Sequence, residues 1–264
     1  CIVPYVRGRA RSYPFARVLE EVRALQATGY QEIVLTGIHL SSYQVDEGDL
    51  AGLLEFLIAS TQDVRFRLSS VEPDLFPRAL FALMANHPDR VCPYLHLVLQ
   101  HASDSVLERM HRGYDLAHYD ALVREFFDVV PGACLTSDIM VGFPGETDED
   151  FEQLMAYVAR TPYYHIHVFP YSIRPGTAAA KFANQIEAPL KQARRDRLIT
   201  LGEKKKREFQ RRSLGQTRQV LVEECAPTRG WVQGTADNYM AVRLRGGAAL
   251  IGKTVEVTLH RIRE

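Results

Sequence analysis

Residues 135–172 read LTSDIMVGFPGETDEDFEQLMAYVARTPYYHIHVFPYS, and the order of patterns in this stretch decides the fold. LTSDIMVGF, starting at Leu135, is apolar and β-prone, as a buried strand is. A glycine-rich turn follows, and Thr147 with Asp150 makes a cap-like helix start. TDEDFEQLMAYVART carries the helical period, and YHIHVFPYS, from Tyr164, returns to a strand pattern. A strand, a crossover helix and a second strand form the unit that builds parallel sheets.

The same alternation extends towards the N-terminus. EIVLTG at Glu32, VRFRLSS at Val64 and YLHLVLQ at Tyr94 read as strands. Between them lie FARVLEEVRALQATG, DLAGLLEFLIAS, PRALFALMAN and LAHYDALVREFFDVV, which read as helices. The first helix places Phe15, Val18 or Leu19, Val22 and Leu25 on one face, and Gly29 stops it. Repeated units of this kind predict an α/β fold, with a parallel sheet and helices outside it. Five such strands are too few for a closed eight-stranded barrel, so the sheet is either open or lacks its start.

Past Ser172 the alternation ends. Residues 189–212 read as one long charged helix with an imperfect stripe of Leu190, Ala193, Leu198, Leu201 and Phe209. Its basic run EKKKREFQRR, with Lys204 and Lys205, is either a solvated face or an RNA contact. RQVLVEEC, RGWVQGTADNYMAVRL and KTVEVTLHRI then read as short strands broken by glycines, a pattern that predicts a small all-β barrel. The expected division is residues 1–212 for the α/β part and 213–264 for the β part.

The 32 basic and 32 acidic side chains cancel over the chain, but their signs are segregated. From Ala188 onward 17 basic residues face 8 acidic ones, a balance that suits a polyanion such as nucleic acid. No apolar run reaches the ~20 residues of a membrane helix, and the opening residues are too polar for a signal peptide. Cys1, Cys92, Cys134 and Cys225 lie far apart without repeated spacing, which predicts a reducing, cytoplasmic setting and not a disulfide framework. Cys92, Cys134 and Cys225 read most simply as small core residues.

Parallel sheets bind ligands at the carboxyl ends of their strands, and here those ends are polar. Gly37, Ser69 and Ser70 with Glu72, Gln100 with Ser103, Gly142 with Glu146, and Phe169 to Ser172 predict a site for a polar organic molecule. Glu146 alternatively caps the following helix, and Arg112 is alternatively a surface residue. His165 and His167 share a strand face and mimic a metal pair. With no third ligand near them in sequence, packing histidines are the expectation.

CIVPYVRGRARS, residues 1–12, adds a specific signal. It resembles the tail of the radical S-adenosylmethionine signature of tRNA methylthiotransferases, in which Cys-x-x-x-Cys-x-x-Cys precedes Ile/Val-Pro and Arg-Gly-x-x-Arg-Ser. EIVLTGIHLSSY, RLSSVEP, LHLVLQHASDSVLERMHRGY, SDIMVGFPGETDEDF and HVFPYSIRPGTAAA resemble further blocks of that family, in its order. LTGIHL is similar to the MtaB type, which acts on threonylcarbamoyladenosine beside the anticodon. GQTRQVLVEE and GWVQGTADNYMAVRL resemble a TRAM domain, a small RNA-binding barrel. LVLQHAS departs from the family's Leu-Pro-Leu-Gln-Ser-Gly-Ser.

The resemblance implies a partial radical enzyme barrel with a 4Fe–4S cluster and S-adenosylmethionine. Cys1 would be the third cluster thiolate. The first two would precede it, together with a domain holding an auxiliary cluster, so the chain from Cys1 alone is expected to be inactive. An electron from the cluster would cleave S-adenosylmethionine, and the radical formed would take hydrogen from the adenine carbon that is methylthiolated. Backbone at Gly37 would meet the cofactor's amino group and Arg112 its carboxylate. Ser69, Glu72, Gln100, Ser103 and Phe169 would line it, and the strand carrying Asp138 and Gly142 would contact its adenine. Arg7, Arg9 and Arg11 alternate, so they would face one way at the rim, while Arg229, Trp231, Tyr239, Arg243 and Arg245 would meet tRNA. The implied partners are tRNA and an electron donor such as flavodoxin. Enzymes for isopentenyladenosine or a ribosomal-protein aspartate, a non-catalytic RNA-binding module, and an aldolase-like barrel remain as other readings. The last of these has only Lys181 before the long helix.

Overall fold

Strand and helix alternate up to Pro170 in the computed structural model, which describes residues 3–262. The order is α1 (Val3–Arg7), α2 (Phe15–Ala27), β1 (Glu32–Leu35), β2 (Gln44–Val45), β3 (Gly48–Asp49), α3 (Leu50–Ser60), β4 (Arg65–Leu68) and α4 (Ala79–Asn86). Then come β5 (Tyr94–His96), α5 (Asp104–Arg109), α6 (Leu116–Val129), β6 (Cys134–Val141), α7 (Asp148–Arg160), β7 (Tyr163–Pro170) and the long α8 (Ala188–Arg212). The chain closes with β8 (Thr217–Cys225), β9 (Trp231–Ala236), β10 (Ala241–Arg245) and β11 (Thr254–Thr258).

β1 pairs in parallel with β4, and β6 pairs in parallel with β5 and with β7. Single bridges from Phe66 to Val91 and from Val71 to Leu97 join the two groups. The parallel layer therefore runs β1, β4, β5, β6, β7, each strand beside its successor. One side chain in two along these strands is apolar and meets the helices. Leu135, Ile139 and Val141 of β6 lie in the main core with Phe66, Leu95 and Leu97. The alternate side chains, Cys134, Thr136, Asp138 and Met140, line the opposite, inner face of the sheet. α7 begins with a full capping box between Thr147 and Asp150, as its sequence predicts.

Three details differ from the sequence reading. Leu25 is exposed, and Phe15, Leu19 and Val22 alone make the buried face of α2. The buried face of α8 consists of Arg194, Leu198, Gly202, Lys205 and Phe209, so its polar positions rather than Leu190 complete the stripe. Cys92 and Cys134 are buried, but Cys225 is exposed at the end of β8 and does not belong to the core.

The last four strands form an antiparallel sheet in the order β10, β9, β8, β11. Gly234 is required in β9, where an added Cβ would overlap the Leu221 carbonyl oxygen of the neighbouring strand. This sheet covers the amino-terminal ends of the parallel strands. Cys92, Tyr94, Cys134 and Tyr164 share one apolar cluster with Phe209, Val220, Ala236, Met240 and Val242. Among the described residues, no helix is long and apolar enough to cross a membrane.

Candidate active site

The inner face of the parallel sheet changes character along the strands. At its amino-terminal end Glu32 accepts hydrogen bonds from Arg65 and Arg67, and all three side chains are buried. Arg67 also donates to the carbonyls of Ala236 and Asp237, and its guanidinium carbon lies 5.4 and 5.5 Å from the ring centres of Tyr94 and Tyr239. Burial would raise the Glu32 carboxyl, but the two guanidiniums outweigh it and hold it below its usual range. This end is sealed by ion pairing and stacking.

Halfway up, the face becomes a wall of hydroxyls and imidazoles. Tyr94 Oη lies 2.9 Å from Thr136 Oγ1, which lies 3.0 Å from His96 Nδ1. His96 Nε2 stands 3.3 Å from Asp138 Oδ1. Asp138 is the register partner of His167, whose ring meets that of His165 edge to face at 4.5 Å. Burial, together with the neighbouring His167, pushes the His165 imidazole down to about 4.

The carboxyl ends form the open rim. Ser41 Oγ accepts from the Glu72 amide and donates to its carbonyl, fixing the chain after β4 against the turn that follows Gly37. Arg112 Nη1 reaches both Glu72 oxygens at 3.3 and 3.4 Å. Burial raises the Glu72 carboxyl, and Arg112 and His39 oppose that without cancelling it. Ser69 Oγ and Arg112 Nε are buried at this rim without a hydrogen-bond partner. Gln100 has a left-handed backbone (φ 63°), and its amide and carbonyl bridge to Asp138 and Met140 on β6. Phe169 is exposed at the end of β7.

Gly37, Ser69, Glu72, Gln100, Arg112 and Phe169 thus gather at one mouth. Ser103 does not join them. It is buried, and its hydroxyl is spent on Asp150 of α7 and on Ser105. Asp138 sits below the rim, among the histidines. Gly142 has φ 72°, its amide donates to Glu146, and Lys191 of α8 covers it so closely that a Cβ would overlap Lys191 Cγ. Glu146 is no helix cap: it is buried, held by Arg194 at 2.7 Å and by the turn amides. Arg7, Arg9 and Arg11 are exposed, but Arg7 ends the short helix α1, so the alternation of an extended chain does not apply there.

In the C-terminal sheet Arg229, Arg243 and Arg245 are exposed, and Arg245 lies 5.8 Å from the Trp231 ring. Tyr239 stacks on Tyr94 at 4.3 Å between ring centres. Lys204 is exposed, whereas Lys205 is buried and donates to the Ala159 carbonyl at 2.8 Å. Sequence reasoning missed the contribution of His96. Its signal was the alternation of Tyr94, His96 and Val98, which gains meaning only once β5 is known to lie beside β6.

A parallel sheet flanked by helices, with a polar rim at its carboxyl ends, defines the class. A profile described as the Radical SAM superfamily matches residues 1–158, and the chain belongs to that superfamily. Its fold is shared with coproporphyrinogen III oxidase HemN of Escherichia coli, described as a radical SAM enzyme. That likeness has a TM-score of 0.57 and 17% identity, over 72% of this chain and 45% of that one. Two curated relatives carry the likeness to a narrower group. The tRNA-2-methylthio-N(6)-dimethylallyladenosine synthase of Bdellovibrio bacteriovorus is 39% identical across 99% of this chain and 58% of its own length. The threonylcarbamoyladenosine tRNA methylthiotransferase MtaB of Bacillus subtilis is 34% identical across 98% of this chain and 58% of its own length. The resemblance read from the sequence blocks is therefore matched by tRNA methylthiotransferases of two substrate types, and this chain spans a little over half the length of each.

Membership implies a 4Fe–4S cluster and S-adenosylmethionine. The unpartnered Ser69 hydroxyl and Arg112 Nε, beside an exposed Gly37 backbone, fit a small zwitterion at the rim. The three described cysteines do not fit a cluster, since Cys92 and Cys134 are buried at the opposite end of the strands and Cys225 lies on the C-terminal sheet. Cys1, the expected ligand, lies outside the described residues.

Proposed function

We propose that this chain is the S-adenosylmethionine- and tRNA-binding part of a tRNA methylthiotransferase. The reaction we propose for the whole protein is addition of a methylthio group to carbon 2 of threonylcarbamoyladenosine next to the anticodon. The observation that carries the reading is identity of 34–39% to tRNA methylthiotransferases over nearly the whole chain, in blocks that supply the rim. The cluster and S-adenosylmethionine, when bound, would supply hydrogen abstraction from an unreactive carbon. Arg112, braced by Glu72, would pair with the cofactor carboxylate through its free N–H groups. Ser69 and the Gly37 backbone would hold the remaining polar groups, and Phe169 would flank the adenosine.

The antiparallel sheet would act as a TRAM-like RNA contact. Trp231, Gln233, Arg243, Arg245, His260 and Arg261 line one open concavity on it, suited to base stacking and phosphate pairing. A tRNA substrate places the work in the cytoplasm, and a small electron carrier such as flavodoxin would reduce the cluster.

Mass spectrometry of tRNA nucleosides from a strain lacking the parent gene tests the assignment. Loss of the methylthio form of threonylcarbamoyladenosine, with the unmethylthiolated nucleoside retained, is expected. Loss of methylthio-dimethylallyladenosine instead would move the protein to the second substrate type, which the 39% relative favours. Unchanged tRNA would refute both.

A further inference from the structure

We propose that His96, Asp138 and His167 form a binding site for one divalent transition-metal ion on the inner face of the parallel sheet, separate from the polar rim. The three side chains come from β5, β6 and β7, and their ligand atoms all lie within 4.8 Å of one another. Asp138 and His167 are direct register partners, and His96 pairs with Thr136, two positions before Asp138. Three adjacent strands thus present two imidazoles and one carboxylate to a common point.

The distances suit an ion. Two ligands about 2.1 Å from a shared ion at tetrahedral or octahedral angles stand about 3.0–3.4 Å apart. His96 Nε2 and Asp138 Oδ1, at 3.3 Å, already have that separation. The ligand nitrogen of His167, a half-buried residue, lies within 4.8 Å of both.

A second observation points the same way. The His96 ring is only 7% exposed, yet its Nε2 has no hydrogen-bond partner while facing the carboxylate. Buried ring nitrogens are normally satisfied. Its other nitrogen is oriented by Thr136, which is itself held by Tyr94, the outer support that metal-binding imidazoles generally have. Among the described residues, Asp138 has no lysine or arginine within ion-pair distance, so a negative charge stands in the cleft beside two imidazoles. An N,N,O set without thiolate favours zinc, cobalt or ferrous ions over magnesium or calcium, which prefer oxygen. The side of the ion facing the cleft would stay open to water or a ligand.

The test is metal binding by the full chain, carrying Cys1→Ser and Cys225→Ser so that thiols do not compete. Titration with cobalt chloride should give one ion per chain, with the visible absorption of nitrogen and oxygen ligands. Zinc chloride should compete for the site and raise the melting temperature. His167→Ala and Asp138→Asn should each weaken cobalt binding by about 100-fold or more, and Thr136→Val by about 10-fold. Circular dichroism establishes that each variant is folded. Absence of stoichiometric binding, or affinity unchanged in the folded Asp138→Asn chain, would overturn the proposal. Because the readout is ion binding, the result is independent of the methylthiotransferase assignment.

Discussion

Glu146 and Arg194 are both buried, and each is the other's partner across the turn between β6 and α7. Removing Arg194 leaves the Glu146 carboxylate buried without its guanidinium, whereas Arg194 has a second partner, the exposed Asp148 at 2.7 Å. Arg194→Ala should therefore cost about 3–5 kcal/mol of stability in urea unfolding, while replacing both residues by apolar side chains of similar volume should cost far less. Asp150 makes a pH prediction. Burial would raise its carboxyl, but hydrogen bonds from Ser103, Thr147 and Ser105 outweigh that and bring it down to about 2. A carboxyl lowered on folding contributes stability above the unfolded value near 4, and that contribution is lost as pH falls towards 2. The melting temperature should drop over this window in the parent and drop less in Asp150→Asn. The sequence revealed Asp150 only as a helix cap. Its bonds to Ser103 and Ser105, some 45 residues earlier, needed the fold.

The elements were largely readable because each carries its own period. The five parallel strands and the helices between them fall where alternation and capping place them. The short α5 and the β2–β3 hairpin were not visible, since six residues and two-residue strands are too brief to show a period. Register decided other matters. Gly234 sits where β8 and β9 shift their pairing between Val222 and Glu224, and its missing side chain admits the neighbouring carbonyl. Gly234→Val should unfold the antiparallel sheet at a markedly lower temperature, read from the Trp231 fluorescence. Gly142 has a double constraint, a left-handed backbone and the cover of Lys191. Gly142→Ala should shift α8 or displace Lys191, and should lower the melting temperature by several degrees.

At the scale of the whole molecule, the antiparallel sheet is a base plate for the parallel one and not a loose appendage. Arg67 joins Glu32 of β1 to the Ala236 and Asp237 carbonyls, and Tyr239 closes over it. Deleting residues after Ser213 would uncover Tyr94, Cys134 and Tyr164 and so confound any binding assay with aggregation. Surface variants are the cleaner test of RNA contact. Arg243→Ala with Arg245→Ala should weaken tRNA binding and make it less steeply dependent on salt, with no change in melting temperature. An unchanged salt slope would take these arginines out of the interface.

Sequence alone determined the kind of layers, the succession of strands and helices along the chain and the polar character of the strands' carboxyl ends, because periodicity and turn chemistry are local properties of a chain. Tertiary structure decided which polar groups remain available. Ser103 and Lys205 look identical in sequence to residues free to bind a ligand, but packing ties them to partners on α7. His96, Asp138 and His167 meet for the complementary reason: parallel pairing aligns side chains about 30–40 residues apart, a separation at which the linear sequence carries no sign of contact.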